Sequence, residues 1–289
     1  YPSSAPNDTS ITVTVPSNAT IGSDDVVVTT GAGASNTATL NVTAGTPTVS
    51  SVSANSGIRG TSVTIYGTYF TTASDVTFDG VSASFTVVSA TQISATVPSS
   101  ITNNGAVDVA VTTDGGTATK TGGFTVLKYT PTISVTPSAS GITYLQTLND
   151  STLSGGSASV SGTFAWATPT SAPAVGSANY IATFTPDNTS LYNTVNVNVA
   201  LVVGKATPEI SGTLAANPIT YGSRLSSATL SGASGSVAGT FAYVSPSASP
   251  VAGTANHEVV FTPTDSANYN NVTGISVNVT VNKATPTVS

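Results

Sequence analysis

Short runs in which apolar and polar residues alternate recur along the whole chain. The clearest are Thr61–Tyr66, Val107–Val111, Val195–Val199 and Val277–Val281. Because successive side chains of a strand point to opposite faces, this alternation places Val on a buried face and Asn, Ser or Thr on a solvated one. Turn-forming residues separate the runs, at Asp79-Gly80, Asn103-Asn104-Gly105, Asp114-Gly115-Gly116 and Gly155-Gly156. No segment combines helical spacing with a cap, so the pattern predicts an all-β protein.

The C-terminal half of the chain repeats itself with a period of 77 residues. Residues Gly162–Trp166 (GTFAW) return as Gly239–Tyr243 (GTFAY), and Phe184–Pro186 returns as Phe261–Pro263. Each copy closes with Lys-Ala-Thr-Pro, beginning at Lys205 and at Lys283. A fixed period of this length predicts two tandem domains of the same kind.

The N-terminal half contains a different repeat. Residues Ile93–Pro98 resemble Ile11–Pro16, which lie 82 residues earlier, and Val109–Thr113 resemble Val26–Thr30, which lie 83 earlier. Residues 1–45 are therefore predicted to be the C-terminal part of a unit whose complete copy follows them. The last residues, 285–289, resemble the start of one more repeat, and we expect the natural protein to continue in both directions.

The repeats define a domain order. We predict an N-terminal segment (1–45), a central unit (46–128), a first 77-residue repeat (129–206), a second 77-residue repeat (207–284) and the start of another repeat (285–289). Many short strands at intervals of about 8–12 residues indicate a two-sheet sandwich. The expected fold class is all-β, with tandem immunoglobulin-like β-sandwiches in an elongated beads-on-a-string array.

The composition narrows the range of partners. Only 6% of the residues are charged, against roughly 25% in an ordinary soluble domain. The net charge is −6 and the six cations are scattered, whereas nucleic-acid binding needs clustered cations. No apolar run reaches the ~18 residues of a membrane-spanning helix. Cysteine is absent, which excludes disulfide scaffolds and thiolate metal sites. We therefore predict neither a nucleic-acid partner nor a membrane-spanning segment.

Residues 47–127 resemble an IPT/TIG domain, which has an immunoglobulin-like fold. The resemblance rests on PTVSSVSANSGIRGTSVTIYGTYF, then VTFDG, VVSATQISATVP and a terminal FTV. Asn55 stands where the family usually has Pro before the first Gly loop. Residues 1–45 resemble the tail of a second copy.

Residues 129–283 are similar to the bacterial Ig-like repeats of large prokaryotic surface proteins, the MBG-type repeats. The motifs are TLSGGSASVSGTFAW with FTPDNTSLYN, and TLSGASGSVAGTFAY with FTPTDSANYN. The first repeat lacks the Gly that follows Tyr221 in the second. The resemblance implies an extracellular or cell-surface location, in an adhesin, a stalk or a matrix protein.

Residues able to do chemistry are few and dispersed. His257 is the only histidine, its neighbour Glu258 points to the opposite face of a strand, and Asn179 is taken as its counterpart in the first 77-residue repeat. We interpret His257 as a solvent-facing strand residue. Asp24-Asp25 is expected in a hairpin loop, and Asp79-Gly80 in a turn whose Asp accepts a local backbone hydrogen bond.

No catalytic, cofactor-binding or metal-binding residue is predicted, and no cofactor. Calcium needs six to eight oxygen ligands, and no loop offers more than two carboxylates. A calcium site between domains stays open as an alternative, with Asp187 or Asp265 as the first residues to test.

The repeated aromatic and lysine positions have structural explanations. Trp166 and Tyr243 occupy one repeat position and are interpreted as core residues rather than as a sugar-stacking row. Tyr192-Asn193 and Tyr269-Asn270 are expected to cap a corner between strands, with each phenol bound to the backbone. The lysines that close the units are interpreted as boundary residues rather than as partners in Lys–Asn cross-links: Lys128, Lys205 and Lys283.

Three functions remain open at this point, and none of them is enzymatic. The first is a structural stalk or fibre segment that spaces a functional head from the cell. The second is an adhesive module that binds glycan or another cell, and the third is a subunit of a self-assembling extracellular filament. The expected partners are neighbouring repeats of the same protein, with glycans and other copies of the chain left as alternatives.

Overall fold

The computed structural model describes residues 12–15 and 19–285 and divides the chain into two compact units, Tyr1–Tyr129 and Thr130–Ser289. Most of the Ile11–Pro16 run and residues 286–289 of the last predicted repeat lie outside the described residues. Strands account for 55% of the structure and helix for 3%, which confirms the all-β prediction.

The N-terminal segment forms two short antiparallel pairs of strands. Strand β1 pairs with β4, and β2 pairs with β3. The strands are β1 (Gly22–Val26), β2 (Thr29–Thr30), β3 (Gly33–Ala34) and β4 (Ala38–Val42). Every residue of these strands is exposed except Val42, which is half-buried.

The central unit is a two-sheet sandwich. Its strands are β5 (Thr48–Ser53), β6 (Ser56–Gly57), β7 (Ser62–Thr68), β8 (Asp75–Phe78), β9 (Val81–Ser82), β10 (Ser84–Ser89), β11 (Gln92–Thr96), β12 (Gly105–Thr113) and β13 (Gly116–Val126). One sheet has the order β10-β11-β7-β5 and the other the order β6-β13-β12-β8-β9. The short strand β6 runs parallel to β13, and the neighbouring strands of the two sheets otherwise pair antiparallel.

The alternation in the sequence explains why these sheets face each other. Val63 and Ile65 of β7 and Val109 and Val111 of β12 are buried, while the residues between them are not. Phe124 of β13 is fully buried in the core and packs edge-to-face against Phe78 of β8, with ring centroids 5.7 Å apart. Each fully buried side chain of this kind contributes about 1.5–3 kcal/mol, so the sandwich is stabilised by its own core.

The first 77-residue repeat has a four-stranded sheet, β16-β21-β20-β19, opposed by the pairs β14-β18 and β15-β17. Its strands are β14 (Ile133–Val135), β15 (Ser138–Ala139), β16 (Ile142–Thr143), β17 (Leu153–Ser154), β18 (Ser157–Ala158), β19 (Gly162–Trp166), β20 (Gly176–Pro186) and β21 (Val195–Gly204).

The second 77-residue repeat has the same plan, with the sheet β23-β27-β26-β25 opposed by the pair β22-β24. Its strands are β22 (Ile210–Ala216), β23 (Ile219–Thr220), β24 (Leu230–Gly235), β25 (Gly239–Tyr243), β26 (Gly253–Pro263) and β27 (Val272–Asn282). Each repeat has its own cluster of buried residues. The chain is thus a tandem array of immunoglobulin-like β-sandwiches.

The repeated Gly-Thr-Phe motif has a packing explanation. A Cβ on Gly162 would lie 2.6 Å from Cζ of Phe184 on the neighbouring strand, and a Cβ on Gly239 would collide with Cζ of Phe261. In both repeats this Phe also packs against the Phe of the motif, with ring centroids 5.0 and 4.9 Å apart. The glycine is needed because the ring lies directly over the backbone of the edge strand.

A short parallel pairing joins the beginning and the end of all three sandwiches. Strand β6 pairs with the end of β13, β16 with the end of β21, and β23 with the end of β27. The partners are two residues long in each case. The second or third strand of every unit is therefore hydrogen-bonded to its last strand.

Helical structure in the described residues is limited to single turns of 3₁₀ helix: Phe70–Thr72, Leu148–Asp150 and Leu225–Ser227. Each turn buries its first side chain in the core of its unit. Among the residues that the structure describes, no helix has the length and apolar character required to cross a membrane.

Candidate functional site

His257 lies on β26 and lines a small open cavity together with Ser245 and Glu258. Its ring is half-buried and its Nε2 atom is buried without a hydrogen-bond partner in the protein, so the prediction of a solvent-facing residue was wrong. Glu258 is exposed. Strands β20 and β26 are equivalent, and their alignment places Tyr180, not Asn179, at the position of His257 in the first repeat. An aromatic ring packs at this position in both repeats, which favours a packing role.

The carboxylates lie apart and take part in local structure. Asp24 and Asp25 lie within β1, paired with β4, so the prediction of a hairpin loop was wrong. Asp79 occupies the predicted turn with φ of 51°, but its carboxylate accepts the side-chain amide of Asn103 rather than a local backbone N–H. Within residues 12–15 and 19–285, no three His, Asp or Glu side chains come together as a metal site would require.

Asp265, one of the two residues considered for calcium, caps a turn. Its carboxylate accepts the backbone N–H of Asn268 at 3.2 Å and the side-chain amide of the same residue at 2.8 Å. At the equivalent place in the first 77-residue repeat, Asn188 accepts the backbone N–H of Leu191 at 3.0 Å. A neutral amide fills the same role, so the position does not need a negative charge. Asp187 precedes Asn188 and is exposed.

Trp166 and Tyr243 are core residues, as the sequence indicated, with exposed fractions of 8% and 7%. Trp166 donates its indole N–H to the backbone oxygen of Ser151 at 3.0 Å. The hydroxyl of Tyr243 is buried without a partner in the protein, and burial raises the pKa of this phenol above its ordinary value of 10.0. Neither ring presents a face on which a sugar could stack.

A set of specific polar contacts lies where the two 77-residue repeats meet. Ala206, in the linker, forms an isolated parallel bridge with Tyr269 of the second repeat. Its N–H donates to the oxygen of Asn268 at 3.0 Å, and its oxygen accepts the N–H of Asn270 at 2.8 Å. The linker backbone is therefore hydrogen-bonded into the loop that precedes β27. We call residues 205–207 and 266–270 the junction clamp.

Side chains strengthen the junction clamp on both sides of this bridge. The ammonium of Lys205 donates to the oxygen of Ser266 at 2.6 Å. The side-chain amide of Asn270 donates to the oxygen of Lys205 at 3.3 Å and to the hydroxyl of Thr207 at 3.2 Å. The motif Asn-Tyr-Asn and the linker Lys-Ala-Thr are thus two halves of one structure.

The ring of Tyr269 completes the junction clamp by contact with the preceding repeat. It packs edge-to-face against Tyr144, with centroids 5.5 Å apart and an interplanar angle of 85°. The ring of Tyr269 thus has an aromatic contact between repeats in addition to the corner position that the sequence predicted. Asn193 repeats the side-chain part of the clamp, since its amide donates to Thr130 Oγ1 at 3.2 Å.

The three closing lysines follow directly on the last strands of their units, which confirms that they are boundary residues. Lys128 comes two residues after β13, Lys205 directly after β21 and Lys283 directly after β27. None lies within the strands of a sandwich core, where an internal Lys–Asn cross-link would need it.

Arg59 is a structural residue that the sequence did not single out. It is only 6% exposed, and its guanidinium donates to a loop that connects the two sheets of the central unit. The acceptors are the oxygens of Ile101 (2.6 Å), Thr102 (3.2 Å) and Asn103 (3.1 Å) and the side chain of Asn104 (3.1 Å). The planar guanidinium, with several N–H donors in one plane, suits these four acceptors in one loop. No sequence pattern distinguishes this arginine from the exposed cations.

The family comparison agrees with the fold of the central unit. Residues 47–126 match the model of the IPT/TIG domain family. This match covers the unit that the sequence predicted as 47–127, and it leaves the assignment of the two 77-residue repeats to the MBG type without support. No curated protein matches the chain.

Several solved structures share local features with the chain at low identity. They include SGBP-B from a complex xyloglucan utilization locus in Bacteroides uniformis, at 22% identity and a TM-score of 0.28, with 57% of this chain and 47% of that chain covered. A gamma-CGTase from an alkalophilic Bacillus clarkii has 15% identity and a TM-score of 0.27, with 57% and 29% covered. The I9–I11 tandem of titin has 8% identity and a TM-score of 0.32, with 83% and 98% covered. This chain thus spans less than half the length of the two bacterial proteins.

Proposed function

We propose that this chain is a non-enzymatic structural segment of a long extracellular surface protein of a prokaryote, a stalk or fibre that spaces a functional head from the cell. The observation that carries the proposal is the junction clamp. A spacer requires domains whose connections resist bending, and a linker of five residues (205–209), the first three of which are hydrogen-bonded into the next domain, meets that requirement.

The junction clamp is held by several weak contacts that form in one arrangement of the linker and the two repeats. Each hydrogen bond contributes about 0.5–1.5 kcal/mol, and an edge-to-face aromatic pair contributes a similar amount. The two backbone bonds of Ala206 hold the linker on the second repeat, and the ring contact between Tyr144 and Tyr269 would have to break if one repeat rotated far against the other. Pro208, which follows the clamp, fixes its own φ and further restricts the linker.

The surface also favours a spacer over an adhesive module. Specific recognition commonly uses exposed aromatic and Arg anchors; here Trp166, Tyr243 and Arg59 are buried, whereas Tyr66, Tyr69 and Tyr221 are exposed. Hydroxyl and amide groups on the outer strand positions, such as Thr254 with Thr280, bond to one another across strands. A surface rich in such mutually bonded groups stays hydrated, and the single tryptophan is not available to a ligand.

The clamp can be tested by measuring a distance between the two 77-residue repeats. The chain contains no cysteine, so Thr163→Cys and Thr240→Cys introduce two unique, exposed labelling sites at equivalent positions. Double electron–electron resonance on the spin-labelled full chain should give one narrow distance distribution. A broad distribution in this parent protein would overturn the proposal.

Two variants show whether the clamp causes the narrow distribution. Lys205→Ala combined with Asn270→Ala removes three side-chain hydrogen bonds of the clamp and should broaden the distribution at least twofold. Asn193→Ala is the matched control, because its hydrogen bond goes to Thr130, remote from the measured linker. The control should leave the distribution unchanged.

The competing functions predict different results on the same protein. A spacer gives no reproducible hits on a glycan array, whereas an adhesive module gives hits that a soluble competitor removes. A filament subunit forms fibres that grow with concentration in electron microscopy, and a spacer stays monomeric in solution scattering.

A further inference from the structure

The N-terminal segment reproduces residue pairs at the start, the middle and the turn of one hairpin of the central unit. Gly22 pairs with Val42 as Gly105 pairs with Val126. Likewise Asp24 pairs with Leu40 as Val107 pairs with Phe124, and Thr30 pairs with Gly33 as Thr113 pairs with Gly116. We call residues 22–42 the N-terminal hairpin. It corresponds to β12 and β13 of the central unit.

The two hairpins differ sharply in what covers them. Val109, Val111 and Phe124 of the central unit are all 0% exposed. Their counterparts Val26, Val28 and Leu40 are 37%, 38% and 37% exposed. The same contrast holds upstream, where Val13 and Val15 are exposed and their counterparts Ala95 and Val97 are buried. A face that is core in one copy is thus open to solvent in the other.

The central unit itself shows what kind of structure covers such a face. There, β8 pairs with β12, and the opposite sheet supplies Val63 and Ile65 of β7 and Val52 of β5 to the same cluster. These strands form the front half of the sandwich, residues 47–96. We propose that the apolar face of the N-terminal hairpin is a docking surface for a front half of this TIG-like kind, which completes a second sandwich.

One substitution sets the geometry of the docked partner. Asp24 stands at the position of Val107, which is 3% exposed in the central unit. A buried, unpaired carboxylate is costly, so the partner must leave this end of the hairpin accessible to water. The docked face is therefore centred on Val26, Val28 and Leu40.

The inference can be tested by supplying a front half to the full chain. Residues 46–91 are duplicated and joined to Ser10, which is the counterpart of Gln92. Hydrogen–deuterium exchange measured by mass spectrometry then compares peptides from the N-terminal hairpin with and without the added segment. We expect exchange in the hairpin to slow at least tenfold, while peptides from 105–126 exchange slowly in both proteins.

Matched variants in the extended chain separate docking from unspecific protection. Val26→Asp with Val28→Asp places charges on the docking face and should abolish the added protection. Val27→Asp is the control, because its counterpart Ala110 lies between the buried Val109 and Val111 on the other face of β12. This control should retain the protection.

A second construction makes a negative result decisive. In it, the added residues 46–91 are extended to 46–126, which replace residues 10–42, so that the extension carries a complete copy of the central unit. If this protein gains a protected extra sandwich and the version with the N-terminal hairpin does not, the proposal is wrong. Protection of the hairpin in the unextended chain that rises with protein concentration would also overturn it, because a second copy would then be the occupant.

Discussion

The two 77-residue repeats share the plan of the four-stranded sheet and most aromatic positions, yet they differ in how a buried polar group is satisfied. Trp166 donates its N–H to Ser151, while the hydroxyl of Tyr243 at the equivalent position has no partner in the protein. Tyr180 is likewise replaced by His257, whose Nε2 is buried and unpartnered. Apolar packing tolerates such exchanges because it depends on volume. A hydrogen bond depends on the position of one atom, so it is lost when the side chain changes.

The largest expected effect tests what the two repeats share. Phe184→Ala and Phe261→Ala each remove a ring that is 1% exposed, and each should lower the free energy of unfolding of its own repeat by about 3–5 kcal/mol. Trp166 is the only tryptophan, so its fluorescence during urea unfolding reports on the first repeat alone. Hydrogen exchange reports on the second. Two costs that differ by more than about 2 kcal/mol would contradict the shared packing.

Smaller changes in stability, opposite in sign for the two repeats, are expected where the repeats differ in a buried polar group. Tyr243→Phe removes a buried hydroxyl that has no partner and should raise the stability of the second repeat by about 1 kcal/mol. Trp166→Phe breaks a made hydrogen bond and leaves the oxygen of Ser151 without this donor, so it should lower the stability of the first repeat by about 1–3 kcal/mol. Hydrogen exchange measures both repeats in each variant. If both variants lowered the stability of their repeats, the hydroxyl of Tyr243 would have a hydrogen-bond partner in solution.

The alkaline stability of the second repeat follows from the raised pKa of Tyr243. Below pH 10 this phenol is neutral in both the folded and the unfolded chain and has no effect on the pH dependence. Above pH 10 the unfolded chain loses the proton first, so stability should fall by up to about 1.4 kcal/mol per pH unit until the higher folded pKa is reached. Tyr243→Phe should remove this component from denaturation curves between pH 9 and 12. An unchanged curve in the variant would contradict the assignment.

The smallest effect concerns the connection between the repeats. Lys205→Met keeps the aliphatic stem and removes one exposed hydrogen bond to Ser266, which should lower the stability of the second repeat by about 0.5 kcal/mol. Lys283→Met changes the corresponding lysine at the end of that repeat and serves as the control. A loss above about 2 kcal/mol for Lys205→Met would mean that the clamp also supports folding of the domain.

The sequence predicted burial best where a single periodicity, the alternation of a strand or the 77-residue repeat, determines which side chains face the core. Alternation predicted the buried positions Val63, Ile65, Val109 and Val111, because a strand in a sandwich has one face against the core. It failed at Asp24-Asp25, where charged residues on an exposed strand are indistinguishable from a loop. The repeat period located Trp166 in the core, since a residue at the equivalent place shares its environment.

Contacts between distant segments could not be predicted in the same way. The four hydrogen bonds of Arg59 reach residues more than 40 positions away, and no local pattern encodes them. The bond from Lys205 to Ser266 spans 61 positions, although both motifs were visible as repeats. The sequence marked Lys205 and the Tyr-Asn pair as recurrent, but not Arg59, and only the fold brought each of them to its partners.

The short parallel pairing in every sandwich has a mechanical consequence. Tension applied along the polypeptide crosses a unit from its first strands to its last. Because β16 runs parallel to the end of β21, tension that reaches β16 pulls these paired strands in opposite directions along their length. Hydrogen bonds that lie across the direction of pull share the load and rupture together, whereas a hairpin pulled open from its free end loses its bonds one at a time. We therefore expect the two-residue pairings at β6, β16 and β23 to be loaded in shear when the chain is pulled, and each sandwich to stay closed until its pairing ruptures.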